Sequence, residues 1–169
     1  MASEFTLQPS WRATLQAIVN RLGQELAVAT AQVNIARDEA TSEQSKAENK
    51  YDTRATEASY LAGAQNRRQL DLQKNLALFE RLRASVPVAR DAIDGPCLVA
   101  VRDDDGDVAW LFLGPAAGGT RVEVGGVTVV VVTPQAPQGH ALMGAGVDDE
   151  VVVTDTGRRL TVVRIDSGA

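Results

Sequence analysis

The stretch "SEQSKAENKYDTRATEASY", Ser42–Tyr60, carries four acids and three bases, and no large apolar residue before Tyr51. It lies inside a long segment of another character. No proline occurs between Pro9 and Pro87, and of the 14 glycines only Gly23 and Gly63 precede Gly95. Proline costs a helix interior about 3 kcal/mol and glycine about 1 kcal/mol. A stretch nearly free of both, rich in Ala, Leu, Gln, Glu and Arg, therefore reads as helix. Apolar residues step by three or four along Trp11, Leu15, Ile18, Leu22, Leu26, Ala29, Val33, Ala36 and Ala40. They do so again along Leu61, Ala64, Arg68, Leu72, Leu76, Phe79 and Leu82, with Arg68 the one polar break. Such spacing is the seam of a coiled coil. Ser10 is the expected N-cap of the first helix, and Pro87 marks the end of the second.

A single helix over this segment would run on the order of 110 Å. Folding it back lets each seam bury itself against the other within one chain. Between Ile35 and Tyr51 no apolar residue is larger than alanine, so the reversal is expected near residues 45–49, with Ser45 or Asn49 supporting the turn. The competing arrangement is one continuous helix that dimerises with a second chain. Residues 1–9 fit no periodic pattern and read as a tail; the hairpin occupies 10–86.

From residue 87 the texture changes. "CLVAVRD", "DVAWLFLG", "TRVEV", "GVTVVVVT", "EVVVTD" and "RLTVVRI" are short, valine-rich and separated by Gly, Pro and Asp turns. They read as strands. "DDDG", Asp103–Gly106, suits a hairpin turn, as does "TDTGRR" between the last two strands. The run Val127–Val132 suggests a strand buried on both faces. "PQGHALMGAG" breaks the β pattern and predicts one short helix with His140 to Met143 at its core. The fold class is thus α+β: an antiparallel helical hairpin, then a small antiparallel β domain over 87–169.

Composition narrows the function. The chain has 169 residues, 23% charged and 44% hydrophobic, with a formal net charge of −5. Residues 1–86 hold ten acids and eleven bases, and the remainder twelve acids and six bases. An acidic chain is a poor partner for phosphates, which argues against dedicated nucleic-acid or anionic-membrane binding. No apolar run approaches the roughly 20 residues a membrane-spanning helix needs, and no signal peptide is visible; a soluble, cytoplasmic protein is expected. One cysteine, Cys97, allows no intrachain disulfide and no cysteine-based zinc site. It reads as a small residue packed in a strand. With one histidine, His140, no Ser–His–Asp or Cys–His constellation can be assigned. His140 reads as a helix-surface or capping residue, Trp110 and Phe112 as core, and Gly114–Gly119 as a turn. Asp148, Asp149 and Glu150 read as a solvated turn before the last strands.

The segment Thr133–Val153, "TPQAPQGHALMGAGVDDEVVV", resembles the signature region of bacterial GreA/GreB transcript-cleavage factors. Three blocks occur in order: Ala136-Pro137-Gln138-Gly139, then Ala141-Leu142-Met143-Gly144, then Val147-Asp148-Asp149-Glu150-Val151. They are similar to the family's Ser-Pro-Leu-Gly, Ala-Leu-(Leu/Met)-Gly and Val-Gly-Asp-Glu-Val. Asp148 stands where glycine is common. The resemblance implies an FKBP-like fold for the sheet domain and RNA polymerase as partner. The helical tip would enter the secondary channel, contact nascent RNA only indirectly, and bind no specific DNA. It implies a monomer that is not an enzyme by itself, holds no cofactor alone, and shares a Mg²⁺ with the polymerase. Glu48 and Asp52, four residues apart and so on one helix face, are the tip carboxylates it points to for catalysis and metal binding, with Glu43 third. Lys46, Lys50 and Arg54 alternate with them, the pattern of a solvated helix surface. Asp52 and Glu57 are also two residues further apart than the family's Asp-x-x-Glu pair. Pro137, Gly139, Leu142 and Gly144 mark the region expected to meet the partner. Three other roles compete: a non-cleaving secondary-channel regulator, a structural coiled-coil adaptor, and a prolyl isomerase. The last needs an aromatic-lined pocket, for which only Trp110 and Phe112 are at hand after residue 90.

Overall fold

The computed structural model describes the backbone of residues 8–44 and 53–169 and the side chains of 8–42 and 56–169. Two long helices come first, α1 (Trp11–Gln44) and α2 (Thr53–Ala84). Six strands follow: β1 (Cys97–Asp103), β2 (Val108–Leu113), β3 (Arg121–Val124), β4 (Val127–Val132), β5 (Glu150–Val152) and β6 (Arg159–Asp166). One short helix, α3 (Pro137–Leu142), lies between β4 and β5. The chain divides into two compact units, Met1–Asn20 with Leu78–Ala169, and Arg21–Ala77. The division cuts through both helices.

The reason lies in the sheet unit. The indole of Trp11 stacks on Phe112 at 4.9 Å between ring centroids, and Phe79 meets the same ring at 6.1 Å. Phe112 and Phe79 are both fully buried. The first turns of α1 and the last turns of α2 are thus part of the core over one face of the sheet. Strand alternation puts Leu98, Ala100, Val129 and Val131 on that face beside Phe112, all buried. The other face carries Val99, Val101, Leu111, Leu113, Leu160 and Val162, packed with Ile93 and with Leu142 of α3. The start of α1 is capped twice. The Ala13 amide reaches Ser10 Oγ at 3.4 Å, the expected N-cap, and the Trp11 amide donates to Asp166 Oδ2 at 3.0 Å. A carboxylate there satisfies an orphan helix N–H and faces the positive end of the helix dipole.

The sheet order is β3-β4-β2-β1-β6-β5. All the expected strands are present. The sheet departs from a purely antiparallel one at a single place: β2 and β4 run parallel. The chain leaves β2 through Gly114–Thr120, forms β3 at the edge, and returns by the Gly125–Gly126 turn. That excursion brings β4 in beside β2 pointing the same way. As the second strand from the edge, β4 buries Val129, Val131 and Val132, while Val127 and Thr128 at its start remain accessible. Asp103 makes the first hairpin turn by accepting the amides of Asp105 and Asp107 on Oδ1, with Gly106 at φ 90°.

The helices pair antiparallel. Arg83 Nη1 donates to Gln16 Oε1 at 3.1 Å in the sheet unit, and Gln69 Nε2 donates to Thr30 Oγ1 at 3.0 Å in the helical unit. Both pairs of residue numbers have the same total, as antiparallel pairing requires. The α1 seam is as expected for Trp11, Leu15, Ile18, Leu22, Ala29 and Val33, all buried, but Ala40 is exposed. In α2 the expected seam is right for Leu72, Leu76, Phe79 and Leu82 and wrong nearer the N-terminus. Leu61 is 63% exposed, and Ala64 and Arg68 are also exposed. The inward positions are Ala62, Gln65 and Gln69, which continue the three–four step to Leu72. Two glutamines occupy places that a count of apolar residues passes over.

Phe112→Ala should lower the stability of the sheet unit by about 3–5 kcal/mol, as for other fully buried aromatic truncations. Asp166→Ala should cost about 1 kcal/mol, the usual worth of a helix cap. Urea unfolding of both variants measures this.

Candidate functional site

Two regions were singled out by the sequence, and the structure treats them differently. Glu48 and Asp52 lie outside the described residues, as do the expected turn at 45–49 and the side chain of Glu43, whose backbone belongs to α1. No group of three or more His, Cys, Asp or Glu residues suited to a metal occurs among the described residues.

The second region, Thr133–Val153, is fully described. It is built from tight backbone constraints. Ala136 is extended at φ −72° and ψ 147°, and Pro137 opens α3. There its missing N–H costs nothing and its ring pre-sets the helical φ. The His140 amide closes the first turn on the Ala136 carbonyl at 2.8 Å. Gly139 is buried, and a Cβ there would run into the carbonyl oxygen of Thr133. Leu142 is fully buried in the core. Gly144, at φ 84°, stops the helix and donates to the Ile93 carbonyl at 2.8 Å, while Ile93 donates back to Ala145 at 2.9 Å. Asp149 Oδ2 then accepts the Gly146 amide at 2.7 Å. The Asp148 amide donates to Val162 O, and the Val162 amide to Asp149 O, so this turn is stitched to β6. Asp148 itself sits at φ 70°, in the left-handed region that favours glycine.

Of the residues expected to meet a partner, Pro137 and Gly144 are exposed, whereas Gly139 and Leu142 are inside and shape the segment instead of touching its surroundings. Around α3 the exposed side chains are Pro137, His140, Met143 and Val147, with Gln135 before them and the acidic turn Asp148–Glu150 after. None of His140, Met143 and Val147 was assigned to this role from the sequence, although a helical register placing Leu142 inward turns His140 and Met143 outward. A shallow groove runs beside α3, floored by Val132, Val153 and Leu160 and edged by Pro137, Asp155 and Arg158.

Cys97 is completely buried, and burial pushes its thiol up to about 12. This is the packed strand residue expected, with no thiolate available near neutral pH. Phe112 lies between Trp11 and Phe79, so it lines no open aromatic pocket of the kind prolyl isomerisation needs. Asp148, Asp149 and Glu150 form the expected solvated turn, all exposed. No described helix is long and apolar enough to cross a membrane.

No family model matches the chain, and neither does any curated protein. Among solved structures, the chain is similar to one described as the transcription factor Gfh1, at 19% identity over 88% of this chain and 93% of that one, with a TM-score of 0.37. It is similar to GreA factor homolog 1 of Thermus thermophilus at 18% identity, over 87% and 93%, with a TM-score of 0.35. It is also similar to Gfh1 of Thermus aquaticus at 16% identity, over 94% and 96%, with a TM-score of 0.38.

Gly139→Ala should destabilise the sheet unit by about 1–3 kcal/mol through overpacking. Asp148→Gly should stabilise it by up to about 1 kcal/mol by relieving the left-handed backbone. Opposite shifts of the urea midpoint are the expected signature. In the native chain, Cys97 should stay inert to a thiol reagent at pH 8 and react on unfolding.

Proposed function

We propose that this chain is a transcription factor that binds RNA polymerase and inserts its helical hairpin into the secondary channel. The observation that carries the reading is the run of three peptide blocks between Ala136 and Val151, in the family's order and spacing, placed after an antiparallel helical pair. The blocks occupy the start of α3, its end, and the turn into β5. Each holds a position with a stringent backbone demand, so the resemblance rests on residues whose geometry matters.

In this reading the chain is not an enzyme by itself and acts at the catalytic centre of its partner. The acidic sheet domain carries the docking surface around Pro137, His140, Met143 and Val147. The hairpin delivers Glu48 and Asp52, with Glu43 nearby. Carboxylate oxygens are the donors a hard Mg²⁺ ion prefers, and one or two suffice when the rest of its shell comes from elsewhere. Such a shared ion would polarise a water for hydrolysis of backtracked RNA. The protein side chains would hold the ion and orient that water.

A second mechanism has its own support. Asp52 and Glu57 are more widely spaced than the family's acid pair, and bases alternate with the acids. A hairpin of that kind would occlude the channel without promoting cleavage.

Two measurements decide. The full chain, immobilised, should retain RNA polymerase from purified core enzyme; no retention overturns the proposal. On stalled elongation complexes, the cleavage mechanism predicts shortened RNA that is lost, by about 100-fold or more, in Glu48→Ala/Asp52→Ala. Inhibition of elongation without shortening, unchanged in that variant, selects the occlusion mechanism.

A further inference from the structure

The seam between α1 and α2 changes character along its length. In the sheet unit it is closed mainly by the apolar Leu15, Ile18 and Phe79; Thr14 Oγ1 is also buried there without a hydrogen bond from any described residue, and Gln16 and Arg83 pair at its exposed margin. In the helical unit Leu22, Ala29, Val33 and Leu72 remain buried, but polar groups enter beside them. Gln69 reaches across to Thr30 at 3.0 Å. One helical turn before it, Gln65 is turned inward, and its Oε1 is buried without a hydrogen bond from any described residue. Beyond Ala36 and Ala62 the burial stops: residues 37–42 and 56–61 are all exposed, Tyr60 and Leu61 among them.

These observations fit together physically. An apolar seam holds two helices by desolvation, while a polar pair inside it fixes register at a cost in stability. A buried acceptor with no partner lowers stability further. Helices that bury no face against a neighbour have little besides intrinsic propensity to hold them, and short lengths of helix are marginal in water on that basis. The step formed by Thr30, Gln65 and Gln69 therefore lies between a zipped part and an unzipped part.

We propose that the hairpin is a two-stage device: its outer turns open and re-form locally about the polar step at Thr30, Gln65 and Gln69, while the inner seam stays closed. The polar step sets where opening stops and keeps the register so that the outer turns re-form correctly. The inference stands apart from the functional proposal, since it concerns the free chain.

Native-state hydrogen exchange on the full chain tests it. Amides of residues 56–61 should exchange at least about 100-fold faster than those of 15–33 and 72–82, as separate opening units do. The variant Gln65→Leu, and separately Thr30→Val/Gln69→Leu, should slow exchange over residues 62–71 by about tenfold or more by removing polar groups from the seam. Exchange over 15–29 should stay unchanged. A flat protection profile along both helices, or variants that leave exchange over 62–71 the same or faster, would overturn the proposal.

Discussion

The stacking of Trp11 on Phe112, with Phe79 closing against the same ring, is the contact on which the rest of the sheet unit depends. The chain is only 4% aromatic, and three of these few rings converge at one point. Each belongs to a different element: the first turn of α1, the last turns of α2, and the C-terminal end of β2. Aromatic rings combine a large apolar area with a preferred mutual geometry, so the cluster contributes orientation as well as burial. It explains why the compact units cut through the helices. Where the seam residues meet the sheet they belong to its core, whatever the local sequence suggests about boundaries.

That arrangement leaves the opposite face of the sheet to be covered by other means, and α3 does this with Leu142. The short helix has only six residues, too few to be stable alone. Its form is imposed from outside: Pro137 starts it, the lack of a Cβ at Gly139 lets it lie on the Thr133 carbonyl, and Gly144 ends it against Ile93. The segment with the most specific sequence signature is also the one with the tightest backbone requirements. That base sets the positions of the exposed Pro137, His140, Met143 and Val147.

Much of this was legible in the sequence, and for identifiable reasons. The strands could be read because valine-rich runs were cut by Gly and Asp at turns such as Asp103–Gly106, where the side chain itself caps the bend. The α1 seam was readable because its inward residues are all apolar or small. The α2 seam was misread because Gln65 and Gln69 face inward while Leu61 faces water; periodicity counts side-chain polarity, and glutamine can occupy a seam when a partner such as Thr30 lies opposite. The parallel pairing of β2 and β4 left no local trace, since it follows from where the chain travels between strands. The Asp166–Trp11 cap was equally hidden, because nothing near either residue announces the other. In the α3 segment the order of the blocks was plain, but which of their residues face outward depended on the core beneath.

The Asp166 carboxylate and the Trp11 amide are 155 positions apart. On a ribosome the first helix is complete, and the hairpin can form, long before the residue that fastens its base has been made. Until β6 emerges, Trp11 and Phe79 have neither a finished sheet to rest on nor the acid that holds the helix start. The order of synthesis therefore makes the helices before the sheet and the acid on which the Trp11 end rests. Contacts of such long sequence separation carry a large loop-closure cost before they reward it, so this cap is a slow contact to make.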